Sequence, residues 1–477
     1  MADDVPVLAV EPRHVHRDIA HDSARKHVTG SAQYTDDIPE LPGTLYGYFR
    51  MSDKAHARIA KLDLVAARAM PGVRAVLTAA DVPGDLDIGP VMRGDPLFAP
   101  GLVEYVGQSI AAVAAESMAQ AHAAAQAIAV EYEEMPALLT IEQALAAKSF
   151  VGKTLTMRIG DSAAALAGAP HRLRGEIRIG GQDHFYLEGQ VAYAIPGEDG
   201  TMVVHSSTQN PTEVQHLIAR VLACADSAVT VEVRRMGGGF GGKETQPSLV
   251  ACAAALLARK TGKPVKFRLP RDEDMIMTGK RHDFQTRYDI GFDGEGRILG
   301  AEFELAARCG MSADLSNAIV DRAMFHTDNA YYLGNATVVG HRCKTHTVSN
   351  TAFRGFGGPQ GMVGIEHAID EIARQIGKDP LDVRRVNLYG KADRNLTHYH
   401  QAITDNILPE LFDEIEKLSD YRARRREIAQ FNRRSQVIKR GLALTPVKFG
   451  ISFTATHLNQ AGARTPISPG KWPGPEG

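Results

Sequence analysis

Cysteine is scarce in this chain. Among 477 residues there are four, Cys224, Cys252, Cys309 and Cys343, far apart and never spaced C-x-x-C. That pattern argues against an iron–sulfur cluster, a structural zinc or a disulfide framework within the chain, and it predicts small, buried, apolar side chains instead. Tryptophan occurs once. No run is long and apolar enough to span a bilayer, and the acidic start Met-Ala-Asp-Asp-Val-Pro lacks the apolar core of a signal peptide. A formal net charge of -2 gives no general attraction to nucleic acid or to acidic membranes. These absences predict a cytoplasmic protein with neither a nucleic-acid nor a membrane partner. What remains, 44% hydrophobic and 23% charged residues, is the composition of an ordinary globular protein. At roughly 150 residues per domain the length suggests about three domains.

Residues 1–27 form a polar arm with His14, His16, His21 and His27 among Arg13, Arg17, Asp18 and Asp22. A solvated arm explains them better than a metal site. Periodicity then predicts strands at 45–51, 73–77, 109–114 and 129–132 with a helix at 117–128, one α+β unit ending near residue 145. Glycine, alanine and proline at 160–170 read as a linker. Beyond it lie candidate strands at 172–179, 191–195, 202–206 and 229–234, and candidate helices at 212–222 and 247–260.

Residues 236–244, Met-Gly-Gly-Gly-Phe-Gly-Gly-Lys-Glu, are the most informative stretch. Glycine strips the backbone of side chains, so amide groups can approach a bound anion. Gly237, Gly242 and Lys243 fit the spacing of a phosphate-cradling P-loop, but Glu244 stands where a Ser or Thr hydroxyl should hold magnesium. A carboxylate there would repel the phosphates. The loop follows a predicted strand and precedes a predicted helix, the context in which backbone amides and the helix start favour an anion. The plainer alternative is a tight turn with no ligand.

A second loop, Asn350-Thr-Ala-Phe-Arg-Gly-Phe-Gly-Gly-Pro-Gln-Gly361, also runs into a helical pattern, at 362–376, with Arg354 as a fixed cation in its middle. These two loops, together with Ser207-Thr-Gln-Asn210, Gly180-Gly-Gln-Asp-His-Phe-Tyr-Leu-Glu188, Asp321-Arg-Ala-Met-Phe-His326 and Lys448-Phe-Gly-Ile-Ser-Phe-Thr454, resemble the molybdenum-binding part of the xanthine dehydrogenase family. Gly30-Ser-Ala-Gln-Tyr-Thr-Asp-Asp-Ile38 resembles the start of the α/β-hammerhead domain that precedes it. The likeness runs from about residue 28 to 463, and the order of six motifs makes it specific.

The resemblance implies an α+β fold: an arm at 1–27, a hammerhead domain at 28–145, a first molybdopterin-binding domain at 160–405 and the start of a second at 406–463. It implies a molybdopterin cofactor whose own dithiolene holds the metal. Gln209, Phe240 and Arg354 would lie near molybdenum, mostly without ligating it, and Gly239 and Gly241 would complete the cradle. Glu244 would bond a purine ring nitrogen, and Arg322 would stabilise negative charge building on the ring. Phe356 and Phe453 would hold the flat ring, and Thr454 would bond it. The implied activity is molybdenum-dependent hydroxylation of purines, hypoxanthine to xanthine to urate. Electrons would leave through [2Fe-2S] clusters and FAD to NAD on a partner iron–sulfur/FAD subunit, giving a hetero-oligomer.

The resemblance stops near residue 463. Residues 464–477 carry four prolines and three glycines, which cannot continue a helix or central strand. This break reads as a C-terminal truncation that omits the glutamate general base; Glu476 in its Pro-Glu-Gly context is not a substitute. The expectation is a chain inactive by itself. Three other readings stay open at this stage: a molybdenum hydroxylase acting on aldehydes or other N-heterocycles, a P-loop-like nucleotide-binding protein, and a non-catalytic subunit.

Overall fold

The computed structural model describes residues 17–450. Phe453, Thr454, Glu476, His14, His16 and the Pro/Gly-rich stretch at 464–477 lie outside the described residues. The fold is α+β, built on two large sheets and one small one.

A seven-stranded sheet runs Val229–Glu232, Met202–Ser206, Val191–Pro196, Val265–Arg268, Leu45–Met51, Ser109–Ala115, Val73–Thr78. Its central joint is a parallel pairing of Leu45 with Val265 and Gly47 with Phe267. The sheet therefore crosses the boundary expected near residue 145, because three strands come from before it and four from after. Ser109–Ala115 is buried along its whole length, which its run of alanines permits with helices close by. Helix Pro247–Thr261 buries eleven of its fifteen residues against this sheet and ends on Gly262, whose φ of 65° suits glycine at a helix C-terminus. Burying each of its leucines contributes roughly 1.5–3 kcal/mol.

The second sheet runs Leu155–Ile159, Ala336–Lys344, Ile298–Gly310, Phe284–Phe292, His171–Ile179. Helices Ser316–Phe325 and Gly358–Ile376 cover it and close the second core around Phe303, Val320, Ile365 and Ile369. A small sheet of Leu102–Val103, Ala57–Asp63 and Ala129–Glu134 flanks the first unit. Helices Leu408–Leu418 and Tyr421–Arg434 follow at the end of the described chain. None of the described helices is long and apolar enough to cross a membrane.

One segment differs from the sequence reading. Residues 160–170 are not a linker: Ser162–Gly168 is a helix, capped by the Asp161 side chain, which accepts from the amide of Ala164 at 2.9 Å. Leu166 is buried, and Gly291 and Gly300 on the neighbouring strands leave room for the helix to lie flat against them. Cys252, Cys309 and Cys343 are buried as expected, while Cys224 is partly exposed.

Candidate active site

Chain connectivity brings the two glycine loops face to face. The first leaves the strand Val229–Glu232 and reaches helix Pro247–Thr261; the second opens helix Gly358–Ile376. The Arg354 amide donates to the Phe240 carbonyl at 2.8 Å, joining them. Gly241 carries a φ of 100°, and a β-carbon there would lie 2.7 Å from the Ala352 carbonyl oxygen. A side chain at this point would force the loops apart.

Gln209 organises the first loop. Its Oε1 accepts from the amides of Gly241 at 2.8 Å and Lys243 at 3.2 Å, and its own amide donates to the Lys243 carbonyl at 2.7 Å. Gly239 packs so closely that a β-carbon would sit 2.7 Å from that same Oε1. With the oxygen occupied, the exposed Gln209 side chain offers its NH2 group outward. The amides of Gly238, Gly239 and Phe240 have no acceptor among the described residues. Phe240 is 47% exposed, and Arg354 is exposed at the same seam. The Arg354 carbonyl accepts from Arg281 Nη2 at 2.9 Å, and the Arg281 guanidinium lies 3.9 Å above the Phe353 ring. Burial lowers the pKa of Arg281 to about 10.

Lys243 is turned inward. It is 0% exposed, and its Nζ donates to the Glu188 carbonyl at 2.8 Å and the Ser207 hydroxyl at 2.7 Å. Burial pulls its pKa down to about 8, against the raising effect of Glu188 and Asp274. A lysine sealed in this way is withdrawn from any phosphate, which removes the main support for the P-loop reading. Glu188 braces the loop base, where its Oε2 accepts from the Gly237 amide at 2.9 Å and the Ser207 hydroxyl at 2.5 Å. Gln190 Nε2 adds a bond to the Gly242 carbonyl at 2.9 Å.

Glu244 stands at the end of this loop, partly buried and without a hydrogen bond or ion pair from its carboxyl among the described residues. Burial alone pushes its pKa up to about 7. The next residue, Thr245, bonds Asp314 Oδ2 at 3.3 Å and Thr351 Oγ1 at 3.2 Å, linking the loop to both the second loop and the start of the helix that carries Arg322. Arg322 lies over Phe356, 5.5 Å from guanidinium carbon to ring centroid, and over Phe449 at 5.4 Å; its Nη1 donates to the Gly450 carbonyl at 2.9 Å. Burial lowers its pKa. Asp321 does not pair with its neighbour Arg322: it bonds Arg342, a guanidinium only 1% exposed.

The sequence reading missed three further acids. Asp314 is buried and pushed up to about 6, first by desolvation. Asp95 rises to about 7 through desolvation and the charge of Asp314. Glu213 rises to about 8 through burial, then Asp314, then Glu244. Asp95 and Asp314 line a small cavity of about 60 Å³ with Tyr105, Thr245, Gln246 and Ser349. Nothing in the local pattern around Asp95, Glu213 or Asp314 marks them, since they converge from distant parts of the chain.

Two facing glycine loops with outward amides, a glutamine amide and a partly buried acid define the class, a cofactor-cradling α+β protein; residues 146–388 match the molybdopterin cofactor-binding domain, and residues 29–136 match the aldehyde oxidase and xanthine dehydrogenase a/b hammerhead domain. The chain belongs to the xanthine dehydrogenase and aldehyde oxidase family of molybdopterin-binding proteins. It is 43% identical over 461 residues to the xanthine dehydrogenase/oxidase of Mus musculus, covering 96% of this chain and 34% of that one. It is 44% identical over 446 residues to the xanthine dehydrogenase of Drosophila subobscura, covering 93% and 33%. The chain thus spans about a third of the length of the curated relatives it matches. Among solved structures it resembles quinoline 2-oxidoreductase from Pseudomonas putida 86, with a TM-score of 0.79 and 27% identity over 87% of this chain and 55% of that one. It also resembles the aldehyde oxidoreductase of Desulfovibrio gigas, with a TM-score of 0.79 and 28% identity over 87% and 47%.

Proposed function

We propose that this chain is the molybdenum-carrying part of an enzyme that hydroxylates purines, taking hypoxanthine to xanthine and xanthine to urate. The observation that carries the reading is Glu244: a partly buried carboxyl with no partner among the described residues, its pKa raised to about 7 by burial, at the end of the first glycine loop. Such a group can accept a hydrogen bond from a ring N–H or, protonated, donate one to a ring nitrogen.

The donor set suits molybdopterin. The amides at 238–240 and the outward NH2 of Gln209 match the acceptor-rich pterin and its phosphate. Among the described residues no group of three or more His, Cys, Asp or Glu could hold a metal ion. When bound, the cofactor supplies oxygen transfer and accepts the electrons. Gln209, Gly239, Phe240, Gly241 and Arg354 hold it in place. Glu244 orients the ring, Arg322 stabilises negative charge developing on it, and Phe356 restricts its plane. Phe453 and Thr454 complete the pocket in this reading. A carboxyl and a guanidinium suit a polar heterocycle better than a simple aldehyde.

We also infer that 28–145 is the hammerhead domain, 160–405 the first molybdopterin-binding domain and 406–463 the start of the second. Electrons would pass to an iron–sulfur/FAD partner and NAD in a cytoplasmic hetero-oligomer. The test is to purify the complete enzyme, quantify molybdenum and pterin, and assay hypoxanthine and xanthine. Stoichiometric metal with purine turnover supports the reading; bound cofactor with aldehyde oxidation alone overturns it.

A further inference from the structure

We propose that His326 is a positioning residue for Arg322, a neutral imidazole that ties Gly450 to the end of the helix carrying that arginine and so sets where its guanidinium points. The inference rests on the reading of Arg322 as the group that stabilises charge on the substrate ring.

His326 is the buried residue that closes helix Ser316–Phe325, four positions beyond Arg322. Its Nδ1 lies 2.8 Å from the Arg322 carbonyl, which can only accept, so Nδ1 carries the proton. Its Nε2 lies 3.2 Å from the Gly450 amide, which can only donate, so Nε2 is bare. Two backbone partners thus fix one tautomer and leave no place for a second proton. Burial lowers the pKa of His326, which favours the same neutral form. The circuit closes through the arginine's own side chain, because Arg322 Nη1 donates to the Gly450 carbonyl at 2.9 Å. It runs from the Arg322 carbonyl through the imidazole to Gly450, and from Gly450 back to the Arg322 guanidinium.

The turn after the helix brings residues 446–450 to this place. Asn329 Nδ2 donates to the Pro446 carbonyl at 2.9 Å, and the Lys448 amide donates to Asn329 Oδ1 at 3.2 Å. Lys448 Nζ bonds Asp328, a fully buried carboxyl that also accepts from the Tyr389 hydroxyl at 2.6 Å. Phe449 packs on the His326 ring with 5.0 Å between centroids, and a β-carbon at Gly358 would lie 2.7 Å from Phe449. These contacts seat the segment as far as Phe449. Gly450, the next residue, takes its hydrogen bonds from His326 and Arg322. A long arginine stem has many rotamers, and a carbonyl fixed at its tip selects one before substrate arrives. Held in this way, the guanidinium need not reorganise as charge builds on the ring. Without the Nε2 acceptor Gly450 can turn, and the carbonyl that aims Arg322 turns with it.

The experiment uses the complete molybdenum enzyme with three substitutions at His326, assayed on hypoxanthine and benzaldehyde. His326→Asn keeps a donor for the Arg322 carbonyl but is too short to accept from Gly450. His326→Gln can reach Gly450 with its amide oxygen, and His326→Phe keeps only the shape. The Asn and Phe variants should lose about tenfold in hypoxanthine kcat, the upper end for one neutral hydrogen bond. KM and benzaldehyde kcat should stay within about twofold of wild type, as for an interaction made in the transition state. His326→Gln should recover most of the loss, and His326→Asn should add nothing in an Arg322→Met background. Unchanged hypoxanthine kcat in the Asn and Phe variants, equal losses on both substrates, or a Gln variant no better than Phe overturns the proposal. Should the Asn variant fail to fold, the Phe variant must show the same purine-selective loss, and an unselective one overturns it too. If Arg322→Met itself leaves hypoxanthine turnover unchanged, the substrate reading of Arg322 fails, and crystal structures of the variants decide the positioning. It stands if the guanidinium leaves the Gly450 carbonyl in the Asn variant and keeps it in the Gln variant; any other outcome overturns it.

Discussion

The Arg354 amide and the Phe240 carbonyl, 2.8 Å apart, join two loops that each hold a phenylalanine in the left-handed region, Phe240 at φ 58° and Phe356 at φ 49°. Such a conformation costs on the order of 1 kcal/mol or more for a residue with a β-carbon and persists only where the surroundings enforce it. Here the enforcement is mutual, since each loop fixes the other. Gly241→Ala should break it: a β-carbon 2.7 Å from the Ala352 carbonyl at φ 100° cannot be accommodated. We expect a loss of about 2–4 kcal/mol and a lowered Tm, with molybdenum content falling further than stability explains. Thermal unfolding and metal analysis on the same preparation check this.

Gln209 should separate cofactor retention from folding. Gln209→Ala leaves the amides of Gly241 and Lys243 without their shared acceptor, at a cost of about 1–3 kcal/mol. Gln209→Glu restores an acceptor but removes the outward NH2 donor. The expected outcome is a destabilised alanine variant, and a glutamate variant that folds near the wild-type Tm yet retains less pterin. Pterin fluorescence after release measures the second effect.

The Glu244 carboxyl makes stability depend on pH with a definite sign. Its pKa rises from an ordinary 4.5 to about 7 on folding, so the folded protein holds this proton more tightly than the unfolded chain. The contribution is fully present below pH 4.5 and is lost as pH rises through 7. Over that window it amounts to at most about 3 kcal/mol. Glu244→Gln should therefore gain stability relative to wild type between pH 5 and pH 8, even as purine oxidation falls. Denaturant unfolding at both pH values reads the difference; a gap that closes towards pH 8 contradicts the assignment.

The pair between Asp321 and Arg342 makes a structural prediction next to the catalytic one. Arg342 is 1% exposed, and its guanidinium also donates to the Gly340 carbonyl at 2.7 Å. Asp321→Ala strands that buried charge and should cost about 3–5 kcal/mol. Arg322→Met, one residue along, should cost far less stability and instead reduce purine kcat/KM. Parallel melting curves and kinetics on the two variants test whether the neighbours have separate roles.

The local elements were legible in the sequence where periodicity was strong, as at Leu45–Met51, Met202–Ser206 and Pro247–Thr261. The pairing of Leu45 with Val265 was not, since no local pattern chooses a partner so distant in the chain. Helix Ser162–Gly168 was hidden because its alanines and glycine resemble a linker until Gly291 and Gly300 provide a surface for it. Glu244 stood out because it broke a familiar spacing. Glu188 lay within a motif already singled out, but its role as a brace depends on the Gly237 amide reaching it. Asp95, Glu213 and Asp314 gain meaning from one another's charge, which requires the fold.

The proposed role of Glu244 in orienting a purine beside a molybdopterin cradle is tested most directly by the ratio of kcat/KM for hypoxanthine to that for benzaldehyde in the complete enzyme, before and after Glu244→Val. The ratio should lie well above one and fall at least tenfold in the variant, as expected for loss of a hydrogen bond to a partly buried carboxyl worth about 1.5–3 kcal/mol. A ratio unmoved by the substitution, with both substrates slowed alike, would contradict it.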